Sequence, residues 1–103
     1  DDMVSRGLGD VYKRQFSNTG LDSLLQERGI KNVVIAGVVT SVCIDSTARV
    51  AADKGYNVNI LSDCTAGRSA FEQEFYCNEI FPIFGTVSHV DETLAAFANR
   101  VAA

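Results

Sequence analysis

Cys43 stands where a chain can turn a thiol into a nucleophile. It follows the β-branched run Val33, Val34 and Ile35 by way of Gly37, Val38, Val39, Thr40, Ser41 and Val42, at the start of a helical pattern. A thiol in a helix's first turn faces unpaired backbone N–H groups and the positive end of the macrodipole, and both favour the thiolate. The same N–H groups suit an oxyanion formed when that sulfur attacks a carbonyl carbon. The competing reading is a small buried hydrophobe, the usual fate of free cysteine. Position alone divides the two about evenly.

The other residues with reactive groups carry less. Cys64 follows a second apolar run and reads more readily as a buried structural thiol than as part of a site. Cys77, beside Tyr76 in the middle of a helical pattern, reads as packing. His89 is the sole histidine; with no second ligand in view it reads as ordering a loop, and no metal site is expected. Arg49, six residues after Cys43, either holds a carboxylate of the sheet or of a neighbouring subunit, or is simply solvated. Asp63 is expected to cap the next loop, with a direct catalytic part as the minor option. Glu72, Glu74 and Glu79 read as a solvated helix face.

These residues need a scaffold, and the hydrophobic pattern supplies one. Thr19 with Asp22 has capping-box spacing, followed by an apolar stripe of Leu21, Leu24 and Leu25; Gly29 sits where a left-handed C′ residue belongs. Val33, Val34, Ile35 and Ala36 form a continuous run, the mark of a strand buried on both faces. A helix is expected over residues 42–54, with Ile44, Ala48, Ala51 and Ala52 on one side and Gly55 as its stop. A second strand is expected over residues 56–61. Ser69 with Glu72 is another capping box, opening a helix that carries Phe71 and Phe75. Residues 80–84 read as a third strand, at an edge or bulge because of Pro82. Asp91 is expected to cap a last helix whose Leu94, Phe97, Ala98 and Val101 follow helical spacing.

Short strands alternating with helices imply right-handed crossovers and a parallel sheet. The fold class is therefore α/β, a Rossmann-like three-layer α/β/α arrangement. Doubly wound sheets carry five or six strands, so three imply the C-terminal part of a larger, N-terminally truncated domain. The first fifteen residues differ in character: three acids balance three bases, and no apolar period is visible. The string VSRGLGDVYKRQ over residues 4–15 resembles a translated library-adapter sequence. The expectation is a non-native segment, or a genuine disordered tail, over residues 1–15, with the domain over residues 16–103.

The 103 residues are 47% hydrophobic and 21% charged, an ordinary globular composition that excludes collagen-like and low-complexity classes. The longest apolar run, residues 33–39, is far short of a membrane span. A net charge of −4 argues against a nucleic-acid surface, so neither nucleic acid nor membrane is expected as a partner. Three cysteines without a CxxC pair suit free thiols in a reducing compartment, and the expected location is cytoplasmic.

Residues 37–66 closely resemble the isochorismatase-like cysteine hydrolase family. The matching residues are Gly37, Val38, Thr40, Cys43 and Ile44, then Thr47, Ala48 and Arg49, then Ala52, Gly55 and Tyr56, and finally Asp63, Thr65 and Ala66. The resemblance extends over residues 16 to about 95. It implies a Rossmann-like sheet and hydrolysis of small-molecule amides or ureido compounds through an Asp–Lys–Cys triad. It makes Cys43 the nucleophile and places a non-proline cis peptide at Val38–Val39, aiming the Val39 N–H with that of Cys43 at the developing oxyanion. Thr40 and Ser41 become candidate substrate-pocket residues, no cofactor is required, and a homo-oligomer is the expected full-length form. Two departures stand out. No strand precedes Phe16 to carry the family's Asp, so Asp1, Asp2 and Asp10 are not assigned that role. Lys13 is about three residues out of register for the family's Lys and reads as coincidence. The chain as it stands is therefore expected to lack two triad members and to be inactive.

Two other functions remain open at this level. The family also contains vinyl-ether hydrolysis of isochorismate; those members can dispense with the cysteine, so Cys43 favours amide cleavage. A catalytically silent α/β module for oligomerisation or binding is the other alternative.

Overall fold

The computed structural model describes residues 20–102. In chain order these form α1 (Leu21–Glu27), β1 (Asn32–Val38), a turn over Thr40–Ile44, α2 (Asp45–Asp53), β2 (Asn57–Ala66) and α3 (Ala70–Phe75). Two further helical turns, Tyr76–Ile80 and Phe81–Ile83, lead to β3 (Thr86–Ser88) and α4 (Val90–Ala102). The three strands lie in the order β1-β2-β3 and every neighbouring pair is parallel. The expected α/β architecture is thus present, with helices on both faces of the sheet. Val58 and Ile60 of β2 meet Ala48 and Ala51 of α2 in one buried cluster. The alternate residue, Asn59, points to the opposite face and donates to Thr93 of α4 at 3.0 Å.

The core explains the order of elements. Ile35, Ile44, Ala48, Ala51, Tyr56, Val58, Ile60, Cys77 and Phe81 are buried together. The two alanines of α2 let that helix lie close on the sheet, and Phe81 completes the cluster. Gly29, at φ 68°, ends α1 as expected, with Ile30 N–H returning to the Leu25 carbonyl at 3.0 Å.

Several expectations are corrected. Residues 80–84 are helical turns rather than a strand, and the third strand is Thr86–Ser88. Pro82 sits in the first turn of its short helix, where a missing N–H costs nothing, and the Phe81 carbonyl accepts from Phe84 and Gly85. Asp91 does not cap α4. The Asp63 carboxylate takes the Val90 N–H at 2.9 Å, and Glu92 Oε1 takes that of His89 at 2.9 Å. Leu94 and Phe97 of α4 are exposed, because α4 rests on the sheet through Thr93, which meets Asn59 and Ser88. The Ser69–Glu72 cap is present, with Glu72 N–H donating to Ser69 Oγ at 3.1 Å.

Thr19 lies outside the described residues, and its expected capping partner Asp22 does other work. Asp22 accepts the Tyr56 hydroxyl at 2.6 Å and pairs with Lys54 at 3.5 Å, tying α1 to the rim of β2. The Tyr56 hydroxyl holds the Asp22 carboxyl below its ordinary value, and the same bond pushes the tyrosine up. A lowered carboxyl adds stability that is present above its unfolded value and lost as pH falls through the folded one. A raised tyrosine adds stability that is present below its unfolded value and lost as pH rises. Tyr56→Phe is therefore expected to flatten both limbs of the stability profile, below about pH 4 and above about pH 10. Urea midpoints across pH would read this; limbs identical to the wild type would refute it.

Candidate active site

The carboxyl end of β1 is shaped by an interruption of the ladder. Ile35 pairs with Ile60 but Gly37 pairs with Thr65, so β1 advances two residues while β2 advances five. Leu61, Ser62, Asp63 and Cys64 are thereby left out of the β1–β2 register. Gly37 itself has φ 123°, a conformation that L side chains rarely adopt, although a Cβ there would meet Ile44 Cδ1 only at an ordinary 3.6 Å. Conformation, not space, demands glycine here. Gly37→Ala is expected to cost about 1–2 kcal/mol of stability, read as a lowered urea midpoint; an unchanged midpoint would show that the strand end relaxes freely.

The Val38–Val39 peptide bond is cis. The Val39 carbonyl then accepts the N–H of Val42 at 3.0 Å and that of Ile44 at 3.2 Å. The second bond spans five residues, so Thr40–Ile44 is a π-type turn running directly into α2. The helix expected from residue 42 thus begins as this wider turn, a local feature common at functional sites. The two bonds straddle Cys43, which is half-buried and lines a cavity of 490 Å³ with Leu21, Leu25, Val38, Ile44 and Thr47 among its walls. Val38 itself is 62% exposed.

Thr40 and Ser41 face away into the protein. Thr40 has no exposed surface, and its hydroxyl donates to Gln73 Oε1. Ser41 Oγ is buried, as is Glu72 Oε1, and neither makes a hydrogen bond of ordinary geometry. The Ser41 hydroxyl is still the first cause holding the Glu72 carboxyl below its ordinary value, ahead of Arg68, which pairs with Glu72 Oε2 at 3.0 Å. Glu72 is therefore not a solvated face; its side chain is 11% exposed beneath the Cys43 turn. Gln73 drew no attention in the sequence, since an uncharged amide in a helix carries no local signal.

The remaining candidates are placed as follows. Cys64 is exposed rather than buried; desolvation, then the Asp63 carboxylate beside it, raises its thiol. Cys77 is buried in the core, which raises its thiol too. Arg49 pairs with Asp45 at 3.0 Å on its own helix and lies over the Phe84 ring at 5.1 Å. Exposed His89 stands 3.6 Å from Asp63 at the start of α4. Among the described residues no three His, Cys, Asp or Glu side chains converge as a metal site, and no helix is long and apolar enough to cross a membrane. Asp1, Asp2, Asp10 and Lys13 lie outside the described residues.

Comparison with known proteins gives this geometry a context. The isochorismatase domain model matches residues 13–92. The chain is 39% identical over 90 residues to a ureidoacrylate amidohydrolase of Variovorax paradoxus, covering 84% of this chain and 35% of that protein. An isochorismatase-like hydrolase structure from Alkaliphilus metalliredigens superposes with TM-score 0.76 at 41% identity, over 82% of this chain and 48% of that one. A pyrazinamidase/nicotinamidase structure from Streptococcus mutans does so with TM-score 0.65 at 33% identity, over 70% and 40%. The chain spans about half or less of the length of the curated relatives it matches. With the family model matching residues 13–92, most of this chain, and the same fold in its structural neighbours, this chain belongs to the isochorismatase family.

Proposed function

We propose that this chain carries the nucleophilic part of a cysteine hydrolase site acting on the C–N bond of a small amide or ureido compound. The observation that carries the reading is Cys43, half-buried at the cavity wall in a π-type turn just beyond the carboxyl end of a parallel strand. Ligands of open α/β sheets bind at that end. Similarity to a ureidoacrylate amidohydrolase and a pyrazinamidase/nicotinamidase supports the substrate class.

In this mechanism the Cys43 thiolate attacks the carbonyl carbon, forming a C–S bond while the C=O π pair moves to oxygen. The N–H groups of Val39 and Cys43 donate to that oxygen. Collapse re-forms the carbonyl and expels the nitrogen, which takes a proton and leaves as amine or ammonia. Water then attacks the thioester, or the thiocarbamate where the substrate is a ureido compound, releasing the carboxylic or carbamic acid and returning the sulfur. The Asp and Lys that the family resemblance implies for the proton transfers are not assigned among residues 20–102.

Residues 16–103 are taken as the C-terminal part of one such domain. The outer edge and face of β1 support this, with Val34 51% exposed beside Val38. The three free thiols fit a cytoplasmic setting. The exposed Leu94 and Phe97 of α4 fit a homo-oligomeric interface.

Peptide-resolved iodoacetamide labelling at pH 7 tests the reading. Desolvation and the Asp63 carboxylate push the Cys64 thiol up, and burial pushes the Cys77 thiol up, so both sites disfavour the thiolate. Cys43 is expected to label first, ahead of both. A Cys43 that labels no faster than Cys64 would sink the proposal.

A further inference from the structure

The turn that carries Cys43 is held from beneath by Gln73 of α3. Gln73 Oε1 accepts the hydroxyl of fully buried Thr40. Gln73 Nε2 faces the Ser62 carbonyl at 3.0 Å, the Thr65 carbonyl at 3.3 Å and Thr65 Oγ1 at 2.9 Å, with Cys77 Sγ at 3.5 Å. Main-chain carbonyls only accept, so the amide nitrogen must point at β2 and the amide oxygen at Thr40. Beside it, Arg68 holds Glu72 Oε2 at 3.0 Å, and Glu72 Oε1 is buried.

This bridge joins the parts that leave the parallel register at the sheet's carboxyl end. Ser62 lies in the stretch of β2 that is out of register with β1, and Thr65 is where the pairing resumes. Thr40 directly follows Val39, whose carbonyl accepts the two N–H groups straddling Cys43. A shift of Thr40 therefore moves the Val39 peptide and the N–H groups of the turn together.

Resting on the hydrolase reading above, we propose that Gln73 is a positioning residue for the Cys43 nucleophile. It locks the Thr40 end of the turn to the carboxyl end of β2 and so fixes where the turn's N–H groups point relative to the sulfur. Only a side chain that accepts on one side and donates on the other can do this. Glutamate keeps the acceptor but sets a carboxylate against two carbonyl oxygens; leucine offers neither group.

The test compares Cys43 alkylation rates in the full chain with hydrogen exchange over residues 32–38 as the measure of an intact β1. Thr40→Val, Gln73→Leu and Gln73→Glu are each expected to slow Cys43 about five-fold, the fold-change of one hydrogen bond's net contribution. Exchange over β1 should stay as in the wild type. The double variant Thr40→Val/Gln73→Leu should fall no further than its worse single, since both break one bond. Thr40→Ser, which keeps the hydroxyl, should recover most of the rate lost in Thr40→Val. A fast wild-type Cys43 whose rate none of these variants changes overturns the positioning role alone. Slowing accompanied by lost protection across β1 in every variant, Gln73→Glu included, overturns it as well, because support of the whole strand would then explain the effect. A wild-type Cys43 no faster than Cys64 overturns the nucleophile reading, and the positioning role with it.

Discussion

Cys43→Ser is expected to lower small-amide hydrolysis about a thousand-fold or more in a domain completed with the Asp and Lys that the family resemblance implies. The thermal midpoint should move by only a few degrees. Serine fills almost the same volume, and Cys43 is only half-buried, so the packing beneath α2 is hardly disturbed. The chemistry is not conserved in the same way. A thiol gives a useful fraction of its anion near neutral pH, whereas a serine hydroxyl needs a positioned base to take its proton. The expected signature is loss of both amine release and the acyl adduct on the residue 43 peptide, with the fold kept. Activity within ten-fold of the wild type would move the nucleophile elsewhere. Among the described thiols Cys64 would be next in line, being exposed near the end of β2.

How far this site could be read beforehand depends on how local its signals are. The β-branched run of β1 and the glycine that follows it are local, so the strand, its end and the cysteine beyond it were visible together. The strand's actual end is more elaborate, because the five-residue advance of β2 depends on pairing between segments some 25 residues apart in the chain. The apolar run at residues 80–84 misled for a related reason. Burial at Phe81 with exposure at Ile83 is set by the turn continuing from α3, while the composition of the run alone looks like a strand. Glu72 looked solvated because glutamate on a short helix ordinarily is, and only tertiary packing buries its oxygen. Gln73 was silent altogether: its partners are Thr40, 33 residues away, and main-chain carbonyls that no sequence pattern marks. The last helix shows the converse. Its apolar stripe is plain in the sequence, yet the polar Thr93 makes the contact with the sheet.

The support beneath the site makes the largest expected stability effect. Phe81 has no exposed surface, and its ring meets Tyr76 at 5.7 Å and Phe84 at 6.1 Å between centroids. Phe81→Ala removes the largest fully buried side chain and leaves a void bordered by two aromatic rings and the core around Cys77. Such truncations cost about 3–5 kcal/mol. A small domain has only about 5–15 kcal/mol in total, with chains near this length at the low end. Phe81→Ala is therefore expected to leave a substantial unfolded population at 25 °C, whereas Ile83→Ala, two residues on and 77% exposed, should shift stability by no more than about 0.5 kcal/mol. The contrast separates core packing from hydrophobicity as such, because both residues belong to the same apolar run. It also reaches the site: Cys77 packs in the Phe81 cluster and its sulfur lies 3.5 Å from Gln73 Nε2. Loosening Phe81 should thus free the amide that holds Thr40 before the sheet itself gives way. Urea titration of the two variants, followed in parallel by Cys43 labelling, measures both effects. Equal midpoints for Phe81→Ala and Ile83→Ala would show that the aromatic cluster carries no special share of the stability.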